Sequence, residues 1–250
     1  MSDPRDAPTV PLSYPALLEN EVHVWRAPLA DVGAVPDVWR QSLSDDERER
    51  AGRFRFARDR ERFTYCRSVL RLLLGSYLGL RAGDVPLSYG SSGKPAVAGD
   101  GVADGLRFNL SHCKDLALFA FARGRDLGID IERLRGDIAV MEIAGRFFSP
   151  RERAHLLALP EHLRTPSFFW GWVRKEAYIK ALGEGLHIPL DGFDVSMEPS
   201  PSASAVPLPD GEGHVWLTLD LDLGPHHAAA LVVEGSGWKI RYLDWPPDEA

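Results

Sequence analysis

"GRDLGIDIERL" (residues 124–134) is the point where the order of elements along this chain starts over. "GRDL" reads as a turn, and "LGIDIERL" as a strand that opens a second pass. Side chains alternate faces along a strand, so Ile129 and Ile131 point into a core. Asp130 and Glu132 then share the other face, about 6.6–6.8 Å apart. Upstream, a strand near "EVHVWRAPL" (21–29) is followed by a long helix over about residues 57–79. After it come "GKPAV" (93–97) and an alternating segment, "LRFNLSHCKDLALFAFARG" (106–124). Downstream, "SPRE" (149–152) starts a helix with an N-cap, a proline and an acid. A further helix carries Glu176, and "FDVS" (193–196), "HVWLTLDL" (214–221), "HAAALVVEG" (227–235) and "WKIRYLDW" (238–245) read as strands. Two α+β halves, residues 1–126 and 127–250, account for the doubled order, although they share almost no residue identities. "PSPSASAVPLPDGEG" (199–213) reads as a surface loop ahead of the last strands.

The composition, 44% hydrophobic and 26% charged residues, is that of a soluble globular chain. No apolar run approaches the roughly 20 residues of a membrane span, and "MSDPRDAPTVPLSYP" (1–15) has neither the basic start nor the apolar core of a signal peptide. Two cysteines, Cys66 and Cys113, have neither metal-ligand spacing nor a disulfide framework, which places the chain in a reducing cytoplasm. A net charge of −7 argues against nucleic-acid binding. Against that total, residues 48–71 hold nine arginines and three acids. Most of those arginines belong to a solvated helical face, and a few are placed to meet phosphate.

The chemistry concentrates in four stretches. "FFWGWVRKEAYIKALGEG" (168–185) is an amphipathic helix whose apolar arc carries a charged pair, Glu176 and Lys180. Arg174, Lys175 and Tyr178 fall on the opposite side. A solvated i,i+4 pair contributes only about 0.2–0.5 kcal/mol, whereas a pair within the buried stripe carries a desolvation cost and needs a partner. In "GIDIE" (128–132), two carboxylates on one strand face are either an acidic solvent face or ligands for a hard cation; oxygen donors favour magnesium or calcium over zinc. "FNLSHC" (108–113) ends a strand with Ser111 and His112, which lack a nucleophile elbow and suit phosphate binding better than serine hydrolysis. "SSGKPAV" (91–97) is a turn presenting Lys94 and lacks P-loop spacing.

Taken in order, "GKP" (93–95), "FNLSH" (108–112), "GIDIE" (128–132), "RFFSPRE" (146–152) and "WVRKEAYIKALGEGL" (172–186) resemble the surfactin-type 4′-phosphopantetheinyl transferases. The resemblance runs in register from about residue 43 to 195. It implies an α+β fold of two similar halves related by pseudo-twofold symmetry, with coenzyme A in the cleft between them. It also implies transfer of the phosphopantetheine arm of coenzyme A to a serine of an acyl or peptidyl carrier protein, releasing adenosine 3′,5′-bisphosphate. Asp130, Glu132 and Glu176 would surround magnesium, or manganese, at the pyrophosphate. Glu176 would bind the metal or, directly or through water, take the serine proton, and Lys180 would offset charge on the breaking phosphoanhydride. Arg50, Arg67, Lys94, Ser111 and His112 are the implied coenzyme A contacts. Lys175 is assigned a structural role, and Glu152 matches an acidic family position. Val173 departs from the small polar residue that many members carry there.

The expectation is therefore a monomeric, cytoplasmic, magnesium-dependent transferase that works on carrier domains and binds neither nucleic acid nor membrane. Two rivals draw on the same residues. One is a non-catalytic coenzyme A or carrier-binding module, against which the retained carboxylates and Lys180 argue. The other is a magnesium-dependent nucleotide hydrolase.

Overall fold

A computed structural model of the chain describes residues 14–30, 33–90, 93–99, 105–183, 188–200, 204–206 and 215–246. In the first half, β1 (Glu21–Pro28) leads to the short helices α1 (Asp37–Arg40) and α2 (Asp45–Gly52) and the 22-residue α3 (Ala57–Leu78). A small hairpin, β2 (Leu87–Tyr89) and β3 (Pro95–Val97), precedes β4 (Leu106–His112) and β5 (Leu116–Arg123). The second half opens with β6 (Leu127–Arg133), then α4 (Val140–Phe147), α5 (Pro150–Ala158) and the 22-residue α6 (Glu161–Leu182). Strands β7 (Ser204–Val206), β8 (Trp216–Asp220), β9 (His227–Glu234) and β10 (Lys239–Asp244) follow.

Two four-stranded sheets result, ordered β10-β1-β5-β4 and β6-β9-β8-β7. In each, the strand before the long helix pairs with the last strand of a following hairpin, so both halves have one topology. β10 crosses back to pair in parallel with β1, so residues 239–244 of the expected second half lie in the first sheet.

Strand alternation builds the layers. Val22, Val24, Leu118, Ala120 and Ala122 of the first sheet meet Ile129, Ile131, Ala229, Leu231 and Val233 of the second. The outer face of the first sheet, with Trp25, Phe119 and Phe121, packs on Leu70, Leu73 and Leu74 of α3. Ala228, Ala230 and Val232 pack on Val173, Ala177 and Ala181 of α6. The order is helix, sheet, sheet, helix.

Each long helix is held by the same device. Ser44 and Ser149 open capping boxes completed by Glu47 and Glu152 at the third helical position. Each glutamate also meets a buried cation at the fifteenth residue of the long helix: Arg71 Nε donates to Glu47 at 2.5 Å, and Lys175 Nζ lies 2.9 Å from Glu152. Both cations donate to two carbonyls of the chain beyond the helix, Ala82 and Val85 for Arg71, Leu190 and Phe193 for Lys175. Each helix ends at a glycine in the left-handed region, Gly79 and Gly183.

Three sequence expectations change. "FDVS" is not a strand, because its backbone bonds go to side chains: Val195 N donates to Glu152, while the Phe193 and Ser196 carbonyls accept from Lys175 and Arg174. Within 199–213, residues 204–206 form β7 and pair with β8; most of the remainder lies outside the described residues, as does nearly all of 1–15. The face of α6 opposite the apolar arc is buried too, with Arg174, Lys175 and Tyr178 at most 3% exposed. Segment 188–198 covers that side, and Arg174 makes a two-pronged pair with Asp220 of β8 at 3.0 and 2.6 Å.

Candidate active site

β6 has its polar positions on the face turned to α6, and the two elements nearly touch there. A Cβ on Gly128 would lie 2.0 Å from the Ala177 carbonyl oxygen and 2.4 Å from the Ala181 nitrogen, so only glycine fits. This close approach sets Asp130, which is 5% exposed, against the last turns of the helix. Lys180 Nζ donates to Asp130 Oδ1 at 2.6 Å, to Ser111 Oγ at 3.1 Å and to the Ile129 carbonyl at 3.3 Å. Ser111 Oγ donates to the same Oδ1 at 2.8 Å. Asp130 Oδ2 is buried and has no hydrogen-bond partner.

The junction joins both sheets. β4 and β6 are edge strands of different sheets, and Asn109 Oδ1 on β4 accepts the Ile129 N–H of β6 at 3.0 Å. Asn109 was not among the expected site residues. Its signal lay in strand parity: Phe108 and Leu110 pack towards α3, so Asn109 and Ser111 face the other way.

Electrostatics at the junction are one-sided. Burial, and then the Asp130 charge, hold the Glu132 carboxyl above its ordinary range. Glu176 is raised in the same way, by burial first and by Asp130 next, with Lys180 partly offsetting the effect. These carboxyls interact, yet Asp130, Glu132 and Glu176 do not bring their oxygens within 4.8 Å of one another; among the described residues, Cys113, Asp115 and His227 meet that spacing. Lys180 is the cation that meets Asp130 directly.

The remaining expected contacts fall in two groups. His112 ends β4, exposed and within electrostatic reach of Lys180 and Arg62. Lys94 Nζ donates to the Ala181 and Leu127 carbonyls at 3.1 and 3.3 Å, tying the end of α6 to β6, and burial holds its ammonium below the usual range. Arg50 and Arg67 share Phe63, with guanidinium carbons 5.3 and 5.8 Å from the ring centre. Arg67 is 7% exposed, lies 3.9 Å from Glu47 and has a buried Nη1 with no hydrogen-bond partner. Residues 184–187 of the expected helix motif lie outside the described residues.

Comparison with known proteins places this geometry in a family. A family model for the N-terminal part of 4′-phosphopantetheinyl transferases matches residues 36–123, and one for the 4′-phosphopantetheinyl transferase superfamily matches residues 126–232. The two meet near the point where the element order restarts. The chain is 40% identical over 227 residues to the 4′-phosphopantetheinyl transferase HetI of Nostoc sp., covering 90% of this chain and 93% of that protein. It is 33% identical over 155 residues to the 4′-phosphopantetheinyl transferase Sfp of Bacillus subtilis, covering 62% and 66% of the two chains. Human L-aminoadipate-semialdehyde dehydrogenase-phosphopantetheinyl transferase is 30% identical over 167 residues, with 64% and 54% covered. A match spanning nine-tenths of both chains leaves no room for a borrowed motif on another fold: this chain belongs to the 4′-phosphopantetheinyl transferase superfamily.

Proposed function

We propose that the protein transfers the 4′-phosphopantetheine arm of coenzyme A to a serine of an apo acyl or peptidyl carrier protein. The serine Oγ–phosphorus bond forms, the phosphoanhydride P–O bond breaks, and adenosine 3′,5′-bisphosphate leaves. The observation that carries this reading is the buried, unpartnered Oδ2 of Asp130, flanked by two carboxyls whose ionisation is held back. Such a donor set fits a hard divalent cation, which satisfies the orphan oxygen and favours ionisation of Glu132 and Glu176. Asp130, Glu132 and Glu176 are the residues proposed to hold magnesium, with manganese a chemical substitute. When bound, that ion supplies charge neutralisation at the pyrophosphate.

The protein's own groups supply the rest. Lys180 neutralises Asp130 in this structure, and its ammonium is positioned to turn to the oxyanion that develops on the leaving phosphate. Glu176, with its raised pKa, is the candidate acceptor of the serine proton. Ser111, His112, Lys94, Arg50 and Arg67 are the proposed phosphate and nucleotide contacts, with Lys94 first released from the Leu127 and Ala181 carbonyls. No helix among the described residues is long and apolar enough to cross a membrane. A monomer working in the cytoplasm, without nucleic acid, completes the proposal.

Intact-mass analysis of apo-carrier domains incubated with the protein, coenzyme A and magnesium tests it. A phosphopantetheine-sized gain that disappears with EDTA is the expected result. Bound coenzyme A without a mass gain on any carrier would replace the reading with a binding module.

A further inference from the structure

Away from the carboxylates, the hairpin loop between β4 and β5 meets the start of β9. There Cys113, Asp115 and His227 bring sulfur, oxygen and nitrogen donors within 4.8 Å of one another. Cys113 Sγ lies 3.2 Å from Asp115 Oδ1, and His227 Nε2 lies 3.1 Å from the same oxygen. The other ring nitrogen, Nδ1, faces the Leu223 carbonyl oxygen at 3.3 Å. Both ring nitrogens therefore point at acceptors. A neutral imidazole has one N–H, so it would aim a lone pair at one of them. A cation seated between Nε2 and the carboxylate would remove that opposition of lone pairs.

We infer that Cys113, Asp115 and His227 form a site for a borderline-soft divalent ion of the zinc class, distinct from the proposed magnesium ligands and independent of the transfer reaction. Thiolate, imidazole and carboxylate are zinc's donors, and hard magnesium avoids the first two. Zinc bonds of about 2.0–2.3 Å set tetrahedral ligand atoms roughly 3.3–3.8 Å apart, so the two separations to Asp115 Oδ1 need to open by only a few tenths of an ångström, with Sγ and Nε2 within 4.8 Å of each other. An Nδ1–H donated to the Leu223 carbonyl fixes the tautomer that offers the Nε2 lone pair to a metal. The side chains of Asp115 and His227 are 30% and 12% exposed, so an ion has a way in and a fourth position remains for water. Cys113 and Asp115 belong to the first half and His227 to the second, so the ion would clip the halves together.

Cobalt(II) reports the site directly. The metal-stripped, reduced full chain titrated with cobalt should show sulfur-to-cobalt charge transfer and intense tetrahedral d–d bands, saturating at one ion per chain. Zinc should bleach them, and excess magnesium should not. Cys113→Ser should abolish the charge-transfer band, and His227→Ala should weaken cobalt binding by at least about 10–100-fold, with circular dichroism showing that both variants fold. Cys66 is the second of the two cysteines and is buried, so a band unchanged in Cys113→Ser would overturn the assignment. Cobalt bound without a sulfur band would place the ion on the carboxylates and also overturn it.

Discussion

Trp25 and Asp130 occupy the same place in the two halves. Trp25 on β1 pairs with Phe119, and Asp130 on β6 pairs with Ala230. Two residues to either side the match holds: His23 and Ala27 lie opposite Phe121 and Ala117, while Gly128 and Glu132 lie opposite Val232 and Ala228. All face the long helix of their half. In the first half the place is filled with aromatics, and Tyr77 Oη accepts the Trp25 Nε1 proton and bonds His23 Nδ1, both at 2.7 Å. In the second, phenylalanine gives way to alanine and valine, His23 to glycine, and Leu72 and Ser76 of α3 to Glu176 and Lys180 of α6. One frame thus carries an apolar core on one side and crowded carboxylates on the other. The lesson is a division of labour within one frame: both halves build an apolar core, and the second alone holds carboxyls in this place, where burial and the Asp130 charge disfavour their ionisation.

The largest test concerns the frame itself. Removing one partner of a buried ion pair costs about 3–5 kcal/mol, roughly 6–20 °C in melting temperature for a chain of this size. Glu152→Ala and Glu47→Ala should each show a loss of that size in calorimetry, because Lys175 and Arg71 are equally sealed from water. A large loss for one and none for the other would break the equivalence of the halves.

The next test separates them. Asp130→Asn and Glu176→Gln should lower transfer to a carrier by about 10²–10³-fold, the size of effect seen when a preorganised charged or polar group is lost. Glu176→Gln should leave stability unchanged or raise it, whereas Asp130→Asn, which takes the carboxylate partner from Lys180, should lower it as well. Trp25→Phe, at the position matching Asp130, should do the reverse of Glu176→Gln: it removes one of the Tyr77 hydroxyl's two partners and costs about 0.5–1.5 kcal/mol, while folded protein keeps its rate. Asn109→Ala falls between, leaving the Ile129 N–H unsatisfied at a cost of about 1–3 kcal/mol. Because that bond steadies β6 beside Asp130, some activity should go with it.

Much of this contrast was legible in the sequence because it is local. The alternation of Ile129 and Ile131 with Asp130 and Glu132 reads directly as two strand faces, and the capping signal "SPRE" states where α5 begins. What escaped depends on partners far along the chain. The helical wheel placed Arg174, Lys175 and Tyr178 opposite the apolar arc, and only the return of segment 188–198 buries them. "FDVS" has strand composition, but side chains from α5 and α6 claim its backbone groups first. β10 joins β1 across more than 200 residues, which no local pattern records. Cys113, Asp115 and His227 meet for the same reason: two hairpins bring them together, and sequence spacing carries no trace of it.

Acid should act on the two halves with opposite sign. Glu132 and Glu176 have folded pKa values raised above their unfolded ones. Below the unfolded value both states are protonated and no cost arises. As pH rises through the raised folded values, the unfolded chain has already released its protons, and the folded state bears the full cost of ionisation at neutral pH. His23 is the reverse case: burial lowers its pKa, so its cost appears as pH falls below the ordinary histidine value of 6.5. Compared with wild type, Glu176→Gln should therefore melt at a higher temperature at neutral pH, with the gain vanishing in acid. Magnesium should raise the wild-type melting temperature most at neutral pH and progressively less on acidification, because protonated carboxyls are poor ligands. A magnesium response that is flat with pH, or unchanged in Glu176→Gln, would mean that the ion binds elsewhere and that the carboxylates of the second half are crowded for some reason other than metal.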